Sequence, residues 1–287
     1  MQESIQKAEV LIEALPYIRE FEGKTVVIKY GGSAMTEPAL RRSTAEDIVL
    51  MKYVGMDPVV VHGGGPAITQ TLDRLNIGSE FHQGLRVTDD ETIEVVEMVL
   101  AGHVNKDIVA LLNSSGGTAV GLCGKDGNLL YAKRIELEDG RDLGHVGAIV
   151  RVDPRIITAL CDAGMIPVVA PVATDAAGGT WNVNADTAAG EIAAAVRAEK
   201  LVFLTDTPGL LRDVGDPGSL IPEVRAQDVA ELKKSGVIAG GMMPKIDACV
   251  NALERGVNKT HVIDGRVSHS LLLEIFTDKG LGTLVRA

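Results

Sequence analysis

Short apolar runs rich in valine and isoleucine alternate with longer amphipathic segments along the chain. The apolar runs predict buried strands at 25–29, 58–61, 118–122, 166–169, 201–205 and 260–263. Apolar residues at helical spacing predict helices over 37–53 and 66–75. Buried strands separated by helices are typical of a parallel sheet covered by helices, so the chain is expected to have an α/β fold.

Two segments depart from this alternation. The patterns over 80–88 and 129–152 are typical of β-hairpins, which predicts an antiparallel element joined to the parallel sheet. The glycine-rich stretch 175–179 falls near the middle of the chain and is the best candidate for a boundary between two lobes.

The first 21 residues form a separate amphipathic segment. Its apolar stripe consists of Ile5, Ala8, Leu11, Ile12, Leu15 and Ile18. Pro16 lies inside this pattern, and a proline at that place predicts either a kink in one helix or two shorter helices. The stripe fits a helix packed on its own subunit, and it also fits an arm that joins subunits in an oligomer.

Charge and cysteine content narrow the class of protein. Of 287 residues, 28 are Lys or Arg and 39 are Asp or Glu, which gives a formal net charge of -11. This charge repels polyanions, so nucleic acid is not expected as a partner. The three cysteines lie far apart without metal-ligand spacing, which fits a reduced, cytoplasmic location. No apolar run approaches the roughly 18 residues of a membrane span, so no membrane partner is expected.

Two predicted strands end in glycines beside a polar side chain. Lys29 ends the first strand and is followed by Gly31 and Gly32, whose bare backbone leaves N–H groups open to an anion. The second strand is followed by His62, three glycines and the helix-opening Pro66. Ligands of open α/β sheets bind at such strand ends, which favours a phosphate cradle. A solvated lysine and simple tight turns are the alternatives.

The two commonest nucleotide-binding fingerprints, the P-loop and the Rossmann glycine motif, are absent. Asp186 precedes a helical pattern over 187–197, where a helix N-cap is its simplest role. Pro244 marks the first turn of a later helix and places Lys245 where the helix dipole disfavours a cation. An anion shared by Lys245 and the helix N-terminus would remove that conflict, which favours a functional role.

Two further polar residues are candidates for binding. Arg86 lies in the first hairpin segment, and its guanidinium is suited to grip a carboxylate through two parallel hydrogen bonds. A plain surface arginine fits the same position. Asn182 and Asn184 alternate as in a strand, so their side chains can share one face.

Five segments, taken in order, resemble the signatures of the amino-acid kinase family. They cover 28–35, 61–66, 84–88, 182–186 and 240–245. The resemblance continues over 261–285 and so covers essentially the whole chain. It implies a three-layer αβα sandwich with an open, mostly parallel sheet. It also implies an oligomerisation helix over 1–21, a lobe over 22–176 that binds an acylated amino acid, and a nucleotide-binding lobe over 177–287 that ends in a regulatory segment.

The implied reaction is transfer of the γ-phosphoryl group of MgATP to the side-chain carboxylate of N-acetyl-L-glutamate, in arginine biosynthesis. By resemblance, Lys29 and Lys245 are the cations that meet this group from opposite lobes, and Asp186 holds both lysines in place. The remaining implied site residues are Gly31 and Gly32 for phosphate and Gly64, Gly65, Arg86 and Asn182 for the acylated amino acid. Magnesium is expected to be held mainly by phosphate oxygens and water, without a protein ligand that we can name.

The resemblance also implies regulation. Family members that resemble this chain at the N-terminal helix are hexamers of three dimers, interlaced by kinked N-terminal helices and inhibited by L-arginine. Glu274 and Gly280 match positions that contact the inhibitor, although a solvated helix face would also explain the glutamate. Glu20 departs from the pattern, because a basic residue is expected at this end of the helix.

Two other functions stay open on the sequence. An acetylaminoadipate kinase of lysine synthesis would differ by one methylene in the substrate, which is worth only about 1–3 kcal/mol of discrimination. A non-catalytic nucleotide-binding protein of the same fold is the second alternative. The joint presence of Lys29, Asp186 and Lys245 argues against it, because a protein that only binds a nucleotide needs no paired cations across the cleft.

Overall fold

The computed structural model describes residues 2–277 and 280–287, with side chains left out at 2–4 and 6–8. Some of the predicted features therefore lie outside the described residues. These are Met1, the side chain of Ala8 in the apolar stripe, and Asp278 and Lys279 in the regulatory segment.

The helices and strands follow the predicted alternation. The helices are α1 (Gln2–Phe21), α2 (Ser33–Thr36), α3 (Pro38–Tyr53), α4 (Gly65–Leu75), α5 (Asp90–Glu97), α6 (Asn105–Ser114), α7 (Arg155–Asp162), α8 (Ala185–Ala195), α9 (Val229–Lys234), α10 (Met242–Glu254) and α11 (Ser270–Ile275). The strands are β1 (Thr25–Tyr30), β2 (Asp57–His62), β3 (Phe81–His82), β4 (Leu85–Arg86), β5 (Ala119–Cys123), β6 (Leu130–Arg134), β7 (Gly147–Val152), β8 (Ile166–Ala170), β9 (Val172–Thr174), β10 (Thr180–Asn182), β11 (Lys200–Thr205), β12 (Glu223–Arg225), β13 (Lys259–Asp264) and β14 (Gly282–Arg286). A π-helical segment, Met98–Val104, lies between α5 and α6.

The main sheet contains the six strands that the sequence predicts. Its eight strands have the order β12-β14-β13-β11-β1-β2-β8-β5. All neighbouring pairs are parallel except β13 with β14. The prediction of a mostly parallel, open sheet is therefore confirmed.

The two predicted hairpins are present but do not join this sheet. β3 pairs with β4 as a two-stranded sheet, and β6 and β7 form a separate four-stranded sheet with β9 and β10. The predicted attachment of a hairpin to the main sheet is therefore wrong. The physical reason is exposure: Val150 on β7 is 57% exposed, whereas the central strands are buried on both faces. The antiparallel member of the main sheet is β14.

Two apolar cores lie on opposite faces of the main sheet. Successive residues of β1 alternate between them: Val26 and Ile28 belong to one core, and Val27 belongs to the other. The first core is covered by α3, α4 and α6, and the second by α8 and α10. The chain is thus a three-layer αβα sandwich, as expected.

The glycine-rich stretch 175–179 is the turn between β9 and β10, where Thr174 pairs with Thr180. The main sheet runs without interruption from the earlier strands to the later ones, because β1 pairs directly with β11. The division of the chain into an acylated-amino-acid lobe and a nucleotide lobe stays a prediction.

Helix α1 runs continuously through Pro16, so the alternative of two shorter helices is wrong. Most of the described stripe residues remain exposed: Ile5, Leu11, Ile12 and Leu15 are 51%, 72%, 68% and 46% exposed, whereas Ile18 is half-buried. Over these four residues the stripe is not covered by its own subunit, and the interpretation as a helix packed on that subunit is wrong there.

The three cysteines, Cys123, Cys161 and Cys249, are buried and form no disulfide. Burial raises the pKa of Cys161 and of Cys249 to about 12, which keeps both thiols protonated at neutral pH. No helix in the described part of the chain is both long and apolar enough to cross a membrane. The cytoplasmic location expected from the sequence stays a prediction.

Candidate active site

Three side chains that are far apart in the sequence meet at the carboxyl edge of the main sheet. Lys29 comes from the end of β1, Asp186 from the first turn of α8 and Lys245 from the first turn of α10. The Asp186 carboxylate bridges the lysines, with Oδ1 at 3.0 Å from Lys29 Nζ and Oδ2 at 2.8 Å from Lys245 Nζ. The structure therefore brings together the three residues for which a catalytic role is predicted.

Asn184, not Asp186, caps helix α8. Its side-chain oxygen accepts hydrogen bonds from the backbone N–H groups of Asp186, at 2.8 Å, and Thr187, at 3.1 Å. The N-cap interpretation of Asp186 is therefore wrong. Because Asn184 satisfies these donors, the Asp186 carboxylate is left to face the lysines.

Burial and charge oppose each other at Asp186. The residue is only 5% exposed, and burial alone would raise its pKa, but the ammonium groups of Lys29 and Lys245 outweigh this effect and lower the pKa. The carboxylate is therefore ionised at neutral pH. The bridge itself contains two cations and one anion and so has one net positive charge, which suits an anionic ligand.

Close approach explains why two of the loop positions are glycine. A Cβ atom at Gly31 would lie 2.6 Å from Lys29 Nζ, and one at Gly64 would lie 2.4 Å from Cδ2 of Leu100. Gly65 is different, because a Cβ there meets nothing within 4 Å. Gly65 therefore borders open space.

The predicted phosphate cradle contains a carboxylate that sequence analysis missed. Asp206 follows β11, and its Oδ1 accepts a hydrogen bond of 2.6 Å from the backbone N–H of Ser33. Gly32 has a φ of 64°, and a Cβ there would lie 2.5 Å from the same oxygen. The signal that could have found Asp206 is its place directly after a predicted strand, at the ligand-binding edge.

A cavity of about 180 Å³ next to the bridge is lined by all four residues predicted to bind the acylated amino acid: Gly64, Gly65, Arg86 and Asn182. A second cavity, of about 380 Å³, is lined by Lys29, Gly32, Asp206 and Lys245 together with apolar side chains that include Leu210, Leu211, Val214 and Met242. An apolar slot beside cations suits a flat base that carries phosphates.

Arg86 is buried and held in place by hydroxyl groups. Its Nη2 donates to Thr69 Oγ1 at 2.7 Å and to the carbonyl of Gly65 at 3.1 Å, and Nη1 donates to Ser79 Oγ. Its guanidinium carbon also lies 4.5 Å from the centre of the Phe81 ring. With 6% exposure, Arg86 is not a plain surface arginine, so that alternative is wrong.

Thr88 links Arg86 to Asn182. Its hydroxyl donates to the Arg86 carbonyl at 2.7 Å and accepts from Asn182 Nδ2 at 3.1 Å. The hairpin that carries Arg86 is thereby joined to β10, which carries Asn182. Sequence analysis did not assign a role to this fully buried threonine.

A third cavity, of about 380 Å³, lies at the other end of β11 and contains the predicted regulatory pair. Glu274 Oε1 contacts Lys200 Nζ at 3.1 Å and His261 Nε2 at 2.9 Å, and Oε2 accepts from the Leu281 N–H at 3.0 Å. A Cβ at Gly280 would lie 3.1 Å from Oε2 of Glu274. Glu274 is 4% exposed, so the solvated-face alternative is wrong.

Sequence analysis missed Lys200 and His261. Burial would raise the pKa of Glu274, but His261 and Lys200 lower it to about 2, so the glutamate is anionic. Nδ1 of His261 is buried and has no hydrogen-bond partner among the described residues. Glu20, the departure noted above, lies at the rim of this cavity, with Oε1 at 3.7 Å from Lys259 Nζ.

Residues 24–264 match the amino acid kinase family, and the chain belongs to that family. Among curated proteins, it is 58% identical to the acetylglutamate kinase of Heliobacterium modesticaldum, over 99% of each chain. It is 56% identical to the acetylglutamate kinase of Thermoanaerobacter pseudethanolicus, over 99% of this chain and 94% of that protein.

Solved structures show the same fold. The N-acetylglutamate synthase of Neisseria gonorrhoeae, complexed with coenzyme A and N-acetyl-glutamate, is 30% identical with a TM-score of 0.84, over 98% of this chain. The same synthase complexed with coenzyme A and L-arginine is 28% identical with a TM-score of 0.81, over 97% of this chain. The chain spans 63% and 65% of those synthase chains.

Removing either bridging cation is expected to impair phosphoryl transfer. We expect Lys29→Ala and Lys245→Ala each to lower kcat by about 10²-fold or more, because each removes a charge that stabilises the transition state. Steady-state kinetics with purified variants measures this effect. Lys133→Ala, which removes an exposed lysine on β6, is the control and should keep normal turnover. Near-normal turnover in either bridge variant would contradict the assignment.

Proposed function

We propose that the chain transfers the γ-phosphoryl group of ATP to the side-chain carboxylate of N-acetyl-L-glutamate, in arginine biosynthesis. The observation that carries this proposal is the Asp186 bridge between Lys29 and Lys245. Both lysines line the cavity of about 380 Å³, and Asn184 and Ala185, directly before Asp186, line the cavity of about 180 Å³. The acetylglutamate kinases that align with the whole chain support the choice of acceptor.

The acceptor needs no general base. A side-chain carboxylate with a reference pKa near 4.3 is already ionised at neutral pH, so it attacks phosphorus directly. Asp186 is also ionised and is engaged by both lysines, which leaves it with a positioning role and no proton to remove. The difficulty is to bring two anions together, and catalysis therefore rests on positioning and compensating charge.

Each group around the cavities has a part in this arrangement. Lys29 and Lys245 offset the charge on the transferred phosphoryl group, and Gly31 and Gly32 lie against the phosphates. Gly64 and Gly65 present backbone N–H groups to the acceptor side, while Arg86 and Asn182 bind the carboxylate and acetamido ends of N-acetyl-L-glutamate.

Magnesium, which supplies positive charge to the phosphate oxygens when it is bound, fits this cleft as an ion held by substrate. The described residues contain no cluster of three or more metal-ligating side chains. Asp206 is the carboxylate in the nucleotide cavity closest to the phosphate cradle, since it accepts from the Ser33 N–H. Phosphate oxygens and water therefore provide most of the expected ligands.

A second proposal is that L-arginine inhibits the enzyme at the cavity of Glu274, Lys200 and His261. An anionic, buried Glu274 suits a guanidinium or ammonium group, and the unpartnered Nδ1 of His261 leaves a polar atom for a ligand. The arginine complex of the structurally similar synthase supports this choice of ligand. Gly280 keeps the space beside Glu274 open.

We also propose that the subunits assemble as a hexamer of three dimers through α1. The exposed apolar residues Leu11 and Ile12 on that helix support this assembly. An exposed apolar face is stabilised when another apolar surface covers it, and the same helix of a second subunit provides such a surface.

Acceptor choice is tested by measuring ADP release. We expect kcat/KM to be highest with N-acetyl-L-glutamate. It should be lower by about 10- to 200-fold with N-acetylaminoadipate, which differs by a methylene. It should be lower again with free glutamate, which lacks the acetyl group. Lys245→Ala serves as the background control. A higher kcat/KM with N-acetylaminoadipate would contradict the proposed acceptor, and no release with any acceptor would contradict the proposed activity.

Arg86→Ala is expected to raise the KM for N-acetyl-L-glutamate by about 10- to 100-fold and to leave the KM for ATP nearly unchanged, because the lost contact is to the ground-state carboxylate. Initial rates over both substrate concentrations measure the two constants. Arg155→Ala is the matched control, since that side chain is 86% exposed. An effect confined to ATP would place Arg86 on the nucleotide side instead.

Removing residues 1–20 is expected to give active dimers with weakened arginine inhibition, because the arm that joins the dimers is lost. Light scattering and an arginine titration of activity measure the two outcomes. Leu11→Glu, which places a charge on the exposed face of α1, should act in the same direction without shortening the chain, and Glu13→Ala is its control. An intact protein that is dimeric and indifferent to millimolar arginine would refute the regulatory proposal but not the kinase assignment.

A further inference from the structure

His62 is a buried, titratable residue to which the mechanism above assigns no role. It ends β2, is 0% exposed and directly precedes Gly63 and Gly64. Its ring lies between two polar neighbours, the carbonyl of Gly63 at 2.7 Å from Nδ1 and Asn105 Nδ2 at 3.1 Å from Nε2. A fully buried imidazole with both nitrogens engaged is fixed in place.

The Gly63 carbonyl determines which ring nitrogen of His62 carries the proton. A carbonyl oxygen only accepts, so Nδ1, at 2.7 Å from it, carries the proton and donates it. Nε2 is then the acceptor and faces Asn105 Nδ2 at 3.1 Å. Asn105 Oδ1 accepts from Lys106 Nζ at 3.1 Å, which orients the amide with Nδ2 as the donor. The same Nδ2 also lies 2.9 Å from the carbonyl of Val168 and 3.3 Å from that of Leu122.

The surroundings keep the ring neutral. Burial, together with the nearby charges of Lys106 and Lys29, lowers the pKa of His62 to about 4, although the hydrogen bond to Gly63 opposes this. At neutral pH the ring is thus a single-proton donor. This excludes a role as a cation facing the phosphates.

Asn105 directly follows the π-helical segment Met98–Val104. Segments of this kind occur often at functional sites, where they redirect the residues that follow. Here the same segment also places Leu100 where a Cβ of Gly64 would lie. Asn105, Leu100 and the glycine loop therefore form one packed unit.

The hydrogen bond from His62 acts on a peptide group that belongs to the site. The carbonyl of Gly63 and the N–H of Gly64 lie in one planar, trans peptide unit and point in opposite directions. The Gly63 N–H is held by the Tyr30 carbonyl at 3.0 Å, and the Gly64 carbonyl accepts from the Ile68 N–H at 3.0 Å. Among the described residues, the N–H of Gly64 donates to no partner. Gly64 lines the cavity of about 180 Å³ that contains Arg86 and Asn182, and also a neighbouring cavity of about 490 Å³ that is lined by Lys29.

We propose that His62, held by Asn105, is a positioning residue that fixes the Gly63–Gly64 peptide so that the N–H of Gly64 is presented to the reacting groups. This inference rests on the proposed kinase function. His62 itself does not touch substrate. It acts through the Gly63–Gly64 peptide plane, by the hydrogen bond that its Nδ1 donates to the Gly63 carbonyl.

Two amide variants separate the ring nitrogens of His62. His62→Asn places an N–H₂ group close to the position of Nδ1 and keeps the donor to Gly63, whereas His62→Gln places its amide near Nε2 and loses that donor. We expect His62→Gln to lower kcat by about 10²-fold with both KM values nearly unchanged, because a misaligned donor weakens transition-state binding. We expect His62→Asn to recover most of that loss. Thermal melting of both variants checks that the fold is retained.

A measurement on the unaltered protein does not depend on either variant or on activity. Nitrogen-15 NMR of histidine-labelled protein is expected to show His62 as the Nδ1–H tautomer with an unprotonated Nε2 between about pH 6 and pH 8, well above its lowered pKa. An Nε2–H tautomer, or equal losses of kcat in the two amide variants, would overturn the proposal. Absence of kinase activity in the unaltered protein would instead count against the proposed function, while the tautomer would still be measured.

Discussion

The structure of the site depends on one buried carboxylate that bridges two ammonium groups. Removing charges from water is costly, and the Asp186 bridge offsets this cost only because Lys29 and Lys245 both lie within 3.0 Å of it. The bridge joins the end of β1 to the first turns of α8 and α10. The bridge itself carries one net positive charge and holds two ammonium groups where two anionic substrates would meet, so one interaction orders the site and prepares it electrostatically.

The parallel register of the main sheet brings the other groups to the same edge. Lys29 pairs with Val61 of β2 on one side and with Phe203 of β11 on the other. The chain just beyond these partners therefore reaches the same edge, and it contains His62 at the end of β2 and Asp206 after β11. Strand ends in a parallel sheet leave backbone groups unpaired, and the glycines that follow let other groups approach them. The site is therefore a consequence of register as much as of residue identity.

Much of this arrangement can be predicted from the sequence. The residues that were wrongly predicted or missed depend on contacts between residues far apart in the sequence. The central strands were predictable because their burial produces apolar runs, and the two lysines because each was placed against a glycine loop or a helix dipole. The three-layer sandwich was expected from the family resemblance. The residue that caps α8 was not predictable. Asn184 and Asp186 are both good N-cap residues, and only the position of the lysines in the fold decides between them. Asp206 has a signal in its place directly after a predicted strand, but its hydrogen bond to Ser33, 173 residues away, appears only in the fold.

Strand β11 connects the two proposed sites and constrains how one could influence the other. Its first residue, Lys200, contacts Glu274 in the regulatory cavity, and Asp206 lies directly after its other end, in the nucleotide cavity. Every residue of the strand is buried, all six pair with β13 and the first four also pair with β1, so a local bend or register shift of the strand is unfavourable. A ligand at Glu274 would therefore act on the nucleotide side by moving β11 together with its neighbours.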